Sequence, residues 1–333
     1  MGNGGVAAVS PARPPRRRGA RRLTRDSLAA YTLVAPALAL LALYIVVPLF
    51  YTVAISFQDV HLGIVPYSGT TGAGGGAAAH RASVVATFFG LHNWVHLFTA
   101  DPVFVLAVRN TAAMVGGATA LGTVTALLAA LLVSRRLPFM GLFRAAYFFP
   151  AAVSQVVAGL VFAWLFDQNF GLVNHLLGFI GLGPYLWQDN AVALLAVLTL
   201  AAAWLTASYN LPIFAAALRN VPRAQQEAAA LDGAGVWRTL WHVTLPALRP
   251  ATWFVGISSL VAVAQMLGLY DALAQDTVES STLVKYMFAR AFYYNDVDYA
   301  GAIAVVMIVS LTTLALLGLW LGDRGRDRAG QGS

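Results

Sequence analysis

The sequence predicts an all-α integral membrane protein. It should have six transmembrane helices, both termini on the cytoplasmic side, and a cytoplasmic loop of two short helices. Three observations predict this. First, 59% of the 333 residues are hydrophobic and only 11% are charged, against about 25% charged in soluble domains, and so few charges cannot clothe a water-exposed surface. Second, six charge-free apolar windows of 21 to 32 residues punctuate the chain, each long enough for the roughly 20 apolar residues a bilayer span needs. Third, the basic residues separate by side once six spans are drawn: 17 fall in inner segments, and Arg81, Arg109, Lys285 and Arg290 are the 4 outside, as the positive-inside rule requires.

Taken in order, residues 1–26 form a Pro- and Arg-rich arm, expected to be disordered, to fix orientation and to touch anionic lipid. The window behind Arg21 and Arg22 is 32 residues long, too long for the 7–15-residue core of a cleaved signal, so it is read as the first span. The transmembrane domain covers 27–322, with spans near 29–56, 107–133, 145–166, 190–217, 251–271 and 299–321. Residues 323–333 are a cytoplasmic tail. The stretch 60–80, with a Gly-rich insert at 68–79, reads as a flexible linker. Residues 82–100, with His92, Asn93, Trp94 and His96, suit a membrane interface. In 168–188, Leu172, Leu176, Leu177 and Ile180 recur at helical spacing among glycines, which fits a helix lying on the membrane surface. A seventh span there would move the later Arg clusters outside, against the charge rule.

Composition also excludes functions. With no Cys there is no disulfide framework, thiol nucleophile or thiolate metal site. The one lysine, Lys285, follows Val284, so no G-x-x-x-x-G-K-[ST] phosphate loop exists and any ATP chemistry belongs to another chain. The +7 net charge lies along one membrane side, not on a nucleic-acid-binding face. An ion-coupled secondary carrier would want charged groups inside the spans, and the windows hold none. A membrane-embedded glycan enzyme would want clustered carboxylates or metal ligands, and the outer acids share no such spacing with a His.

The loop at 218–250 between the fourth and fifth spans is the unusual feature. Asn220 can cap, Pro222 suits a first helical turn, and 224–231 is a strong helix former. Asp232-Gly233 should end that helix, Gly233 taking the left-handed conformation. A second short helix is expected from Val236 to about Val243, stopped by Pro246 before the fifth span. Such a knuckle suits docking into a groove of a soluble partner.

The string Glu227-Ala228-Ala229, then Asp232-Gly233, then Val243, Leu245 and Pro246 resembles the EAA signature of the permease subunits of binding-protein-dependent ABC importers. Val243 stands where that pattern has Ile. The resemblance extends to the carbohydrate branch, the maltose- and glycerol-phosphate-type permeases, through Asn93-Trp94, Asp101-Pro102, Asn110-Thr111, Phe149-Pro150, Gly171 to Asn174, Tyr286 and Tyr299. It implies a non-enzymatic half of a translocation pathway in a prokaryotic cell membrane. It also implies a second permease subunit as partner, usually a different chain, two ATP-binding subunits that carry ATP and Mg, and an extracytoplasmic solute-binding protein. The chain itself would hold no cofactor. The loop would couple the ATPase to the spans, with Glu227 as its charged anchor and Gly233 as its bend.

A polyhydroxylated solute needs polar groups and flat aromatic faces within the membrane. The fourth span supplies Trp204, Thr206, Ser208, Tyr209 and Asn210, the fifth Ser258, Ser259 and Gln265, and the third Ser154 and Gln155. Because the spans flanking the EAA loop line the pocket in maltose-type relatives, Thr206, Tyr209, Asn210, Ser259 and Gln265 are the expected solute contacts. Ser and Thr also commonly bond their own helix. His92 and His96 have i, i+4 spacing without a third ligand, so an interfacial role is expected and no metal. Asp271 should sit at an outer span end, and Asp276, Glu279, Asp296 and Asp298 make an acidic outer face, either solvated or facing the binding protein.

Overall fold

The computed structural model describes residues 25–66, 80–134, 139–273 and 278–330. Residues 1–24 of the basic arm, the Gly-rich insert and Asp276 lie outside them, while Arg25 and Asp26 already belong to the first helix. Two compact units divide at Tyr51 and Thr52.

In the first unit, α1 (Arg25–Leu41) passes through one π turn (Ala42–Val46) into α2 (Val47–Ile55). The π turn immediately precedes Pro48. The Val47 N–H bonds the Ala42 carbonyl five residues back, so the helix widens where proline's ring would otherwise strike the preceding turn.

The second unit opens with a feature the all-α reading lacked. Strands β1 (Gln58–Pro66) and β2 (His80–Phe88) pair antiparallel, from Gln58 opposite Phe88 to Pro66 opposite His80. The stretch 60–80 read as a flexible linker is therefore strand through Pro66 and again at His80, and the ribbon runs on to Phe88 in the stretch read as interfacial. The reason is legible afterwards: Val60, Leu62 and Ile64 alternate on one arm and Val84 and Val85 sit on the other, an apolar and largely β-branched pattern that the glycines between them overshadow. Short α3 (His92–Thr99) follows, then α4 (Pro102–Val133). Asp101 caps α4, its Oδ1 accepting from the Phe104 N–H at 3.0 Å, with Pro102 at the first position where no N–H is needed.

The stretch expected as the third span does not run straight: α5 (Met140–Phe148) leads through a 3-10 turn (Phe149–Ala152) to α6 (Gln155–Leu165), with a bend of 108° between them. Pro150 lies in that turn and Ser154 caps α6, accepting from the Val157 N–H at 3.3 Å. Surface helix α7 (Leu172–Phe179) falls inside the stretch read as interfacial, and α8 (Ala191–Arg219) is the fourth span. α9 (Arg223–Leu231), α10 (Val236–Thr239), a π turn (Leu240–Thr244) and α11 (Leu245–Ala264) follow, then α12 (Leu267–Leu273), α13 (Leu283–Phe292) and α14 (Val297–Gly330). Counting the bent pair, the described residues hold up to 6 spans. The last helix continues past residue 322 into the expected tail.

Two expectations at the loop are corrected. Asn220 ends α8 and does not start α9, whose cap is Pro222. Pro246 does not stop the second loop helix: α10, the π turn and α11 form one apolar helix, Val236–Ala264. As at Pro48, the residue before the proline bonds five residues back, Leu245 N–H to the Leu240 carbonyl, and this wider turn lets the helix run on.

The core lies where α4, α6, α8 and α12 meet, around Leu194, Leu198, Leu205, Leu269 and Tyr270, all at most 2% exposed. Small residues bring α4 and α8 close. A Cβ on Gly122 would stand 3.1 Å from the Thr206 Cβ and 3.2 Å from the Ala203 carbonyl oxygen. Apolar lipid offers little drive for helix association, so close backbone packing of this kind carries much of it.

Candidate functional site

The loop is built as a bend between two helices. α9 closes in a Schellman motif: the Ala234 N–H bonds the Ala229 carbonyl at 2.9 Å and the Gly233 N–H bonds the Ala230 carbonyl at 3.1 Å. Gly233 has φ +73°, and no atom lies within 4 Å of where its Cβ would stand. The bend therefore needs glycine for its backbone conformation and not for space. Around it the surface is apolar and bare: Leu231 is 90% exposed and Trp237 74%, with Val236 and Trp241 also exposed. Glu227, Ala228 and Asp232 are exposed and Ala229 is half-buried. Neither Glu227 nor Asp232 holds an ion pair among the described residues. Leu245 and Pro246 are half-buried within the helix that follows.

The polar residues of the spans divide into two groups. The structure brings Asn210 and Ser259 together: the Asn210 Nδ2 donates to the Ser259 Oγ at 2.8 Å, both buried, tying α8 to α11. Thr206 is buried against α4 and donates to the Ala202 carbonyl of its own helix. Tyr209 is 55% exposed, and its hydroxyl donates at 3.0 Å to the Ala151 carbonyl at the break of the third span. Gln265 ends α11 exposed, its Nε2 reaching the Val261 carbonyl at 3.2 Å. Ser154 and Gln155 are exposed at the start of α6, while Trp204 packs on Phe162 at 5.6 Å. In this conformation Tyr209 and Gln265 are exposed, each bonded to a backbone carbonyl, and Thr206, Asn210 and Ser259 are engaged within the helix packing.

The end opposite the loop holds a polar network that residue types alone did not single out. The Asp101 Oδ2 accepts from Tyr286 at 2.7 Å and also from Tyr299. The Arg290 Nε donates to the Tyr286 hydroxyl at 3.1 Å, its Nη1 donates to Asp296 at 3.0 Å, and its guanidinium lies 4.6 Å from the Tyr299 ring centre. Burial opposes ionisation of Asp101, but bonds from Tyr299, Tyr286 and the Phe104 N–H, with Arg290 nearby, outweigh it and hold the carboxyl below its usual value. Burial, reinforced by Asp101, pushes the Tyr286 phenol up to about 12. Burial likewise raises Asp296 against the pull of Arg290. Asp298 is buried and accepts from the Asn93 Nδ2 at 3.1 Å. Asp296 and Asp298 are therefore engaged within the chain, and neither forms part of an open acidic face; Glu279 is exposed. Asp271 accepts from Lys285 Nζ at 2.6 Å, with Lys285 only 4% exposed. The His92 ring lies 4.3 Å from that of Phe89, tilted by 50°, and His96 Nδ1 lies 3.3 Å from the Tyr299 hydroxyl. The signal for this network was the scarcity of acids, 14 in the chain, which makes an Asp before Pro102 conspicuous.

Known proteins resemble this arrangement. Residues 122–325 match the family model described as the inner membrane component of binding-protein-dependent transport systems. The arabinooligosaccharides transport system permease protein AraP of Halalkalibacterium halodurans is 33% identical over 71% of this chain and 75% of its own. The sulfoquinovosyl glycerol transport system permease protein SmoG of Agrobacterium fabrum is 31% identical over 85% of this chain and 86% of its own. The sn-glycerol-3-phosphate transport system permease protein UgpA of Yersinia pestis is 29% identical over 69% and 78%. A chain of the bacterial alginate ABC transporter, solved with its alginate pentasaccharide-bound periplasmic protein, superposes with a TM-score of 0.74 over 90% of this chain and 96% of its own, at 17% identity. With five apolar spans, or six counting the bent pair, an exposed knuckle carrying the EAA signature and relatives of this kind, the chain belongs to the family of binding-protein-dependent transport system inner membrane components: it is a membrane-spanning permease subunit of an ATP-driven importer.

Proposed function

We propose that this permease passes a sugar or a closely related polyhydroxylated solute inward, and that the 218–250 loop couples its spans to ATP hydrolysis on partner subunits. The single observation carrying the coupling role is the bare apolar knuckle at Leu231, Val236 and Trp237, beside the exposed carboxylates of Glu227 and Asp232. A water-exposed cluster of that kind is matched to a groove on a soluble protein. The helix from Val236 to Ala264 makes the loop a lever. Ser259 lies 23 residues from its start, about 35 Å at 1.5 Å per residue, so displacement at the knuckle moves Ser259 and strains its bond to Asn210.

Solute contact is assigned to Tyr209 and Gln265, beside the broken third span. Asn210 and Ser259 enter the path when α8 and α11 separate, and Thr206 when α8 parts from α4. Irregular backbone inside a membrane is tolerated where it lines a cavity, which supports placing the path at that break. Sugar relatives such as the arabinooligosaccharide and sulfoquinovosyl glycerol permeases support the solute class. The assembly proposed is this chain with a second permease subunit, two ATP-binding subunits that hold ATP and Mg, and an extracytoplasmic solute-binding protein. The membrane is that of a prokaryotic cell, with both termini and residue 233 cytoplasmic.

The test is substrate-stimulated ATPase activity of the reconstituted complex carrying Glu227→Ala. The expected result is an inserted chain whose ATPase partner is lost or no longer stimulated, from removal of a charge-assisted bond of about 1.5–3 kcal/mol. Wild-type stimulation would reduce the loop to a connector.

A further inference from the structure

We propose that the groove between the loop and the span ends is a binding site for the phosphodiester headgroup of an anionic phospholipid. A cavity of about 740 Å³ opens there. Its apolar wall includes Leu131 and Val133 at the end of α4 and Leu218 at the end of α8, and Val236 closes it from the loop side. Arg144 on α5 and Arg219 in the last turn of α8 also line it. Among the described residues no Asp or Glu lines the cavity. Neither guanidinium has a carboxylate partner among the described residues; Arg144 reaches only the Val133 carbonyl, at 3.4 Å.

Two forked cations without counter-charge are suited to phosphate oxygens, which they grip more strongly than neutral donors can. A free small anion would need only those charges. The apolar wall belongs to the ends of spans, where acyl chains begin, and this selects a lipid. Basic pockets between helices at the cytoplasmic boundary recognise anionic headgroups by this combination. The side of the membrane rests on the proposed topology, whereas the chemistry of the groove does not.

The test uses the full chain, purified in detergent, stripped of lipid and titrated with phosphatidylglycerol, phosphatidylcholine or inorganic phosphate, with retained lipid counted by native mass spectrometry. Because detergent has no sidedness, failure here is separate from failure of the topology, which cysteine labelling at position 233 reads. Phosphatidylglycerol should bind more tightly than phosphatidylcholine. Arg144→Gln and Arg219→Gln should each weaken it about tenfold, one charge-assisted contact at its lower bound, converted at 1.4 kcal/mol per decade. Arg109→Gln, on the opposite end of α4, should leave it unchanged. Lysine at either site should restore part of the affinity. Equal binding of the two lipids, or full phosphatidylglycerol retention in the double Gln variant, overturns the site. Competition by inorganic phosphate at concentrations equal to the lipid makes it a free-anion site and overturns the lipid assignment. If the double variant does not yield folded protein, raising salt on the wild type decides, since screening must weaken a site built on two exposed arginines; salt-insensitive binding overturns it.

Discussion

Gly233 offers the sharpest test of the coupling loop, because its environment isolates one cause. Its φ of +73° is left-handed, and the space a Cβ would fill has no atom within 4 Å. Substitution therefore costs conformation and not volume. Alanine there pays roughly 1–2 kcal/mol for the left-handed backbone, and a β-branched valine loses more. If the chain leaves that region to escape the strain, it forfeits the Ala234-to-Ala229 and Gly233-to-Ala230 bonds, each about 0.5–1.5 kcal/mol. Either way Gly233→Val loses about 2 kcal/mol or more, and the angle between α9 and α10 is no longer held. Asparagine tolerates the left-handed region well, so Gly233→Asn should keep the angle. The assay is substrate-stimulated ATPase activity in proteoliposomes beside copurification of the ATPase subunit. The expected order is wild type, then Asn, then Ala, with Val lowest. Valine equal to wild type would refute the claim that the bend matters. Asparagine as poor as valine would place the constraint in the partner's groove, not in the backbone.

Other predictions concern separate parts of the molecule. An impermeant thiol reagent should label a cysteine at position 75 and not one at 233 in intact cells, a clean assay because the chain has no native Cys; labelling at 233 reverses the topology. Tyr209→Ala should reduce transport by roughly tenfold with assembly intact, while Tyr209→Phe keeps the ring and loses only the bond to Ala151, about 0.5–1.5 kcal/mol; equal transport in wild type and Ala removes Tyr209 from the path. Asn210→Ala and Ser259→Ala in a double-mutant cycle should show a coupling near 0.6 kcal/mol, typical of hydrogen bonds between membrane helices, and a zero coupling in thermal unfolding would deny the bond. Asp101 has a folded value held below its ordinary one, so its contribution is present above the unfolded value near 3.9 and fades as pH falls through the folded value. Asp101→Asn should lower thermal stability at pH 7 and flatten that acid limb; an unchanged acid profile would mean the carboxylate is not the titrating group.

The spans were legible because charge exclusion from a bilayer is severe: five of the six long apolar windows fall on helices long and apolar enough to cross a membrane, and the sixth, 145–166, falls on the bent pair α5 and α6. The end of α9 was legible too, since Asp232-Gly233 leaves few alternatives to a left-handed cap. The ribbon at β1 and β2 was not, because its evidence is pairing between distant segments, and register is invisible in a single strand's composition. The fate of the polar residues was half legible. That Asn210, a membrane amide, needs a partner follows from its chemistry; that the partner is Ser259, 49 residues away, depends on how α8 meets α11. The network around Asp101 is harder still. Its members come from α3, α4, α13 and α14, and no spacing rule links 93, 101, 286, 290 and 299.

Pro246 is the instructive error, because the missed device bears on mechanism. Proline inside a helix removes a bond and collides with the preceding turn, and a stop is the simplest outcome. Here the π turn at Leu240–Thr244 absorbs the collision, and the same arrangement precedes Pro48. A stop would have left a hinge between the knuckle and the fifth span, and motion at Gly233 would have dissipated in it. Under the proposed coupling, a continued helix would transmit it. Gly233 has the only positive φ between Gly181 and Asn295 among the described residues, and the helix beyond the bend is continuous from Val236 to Ala264, with Gln265 as its cap. In the proposed coupling the loop's signature residues would have separate physical duties along one lever: Glu227 and Asp232 would present charge, Gly233 would set the angle, and Leu245 and Pro246 sit where the helix widens and runs on.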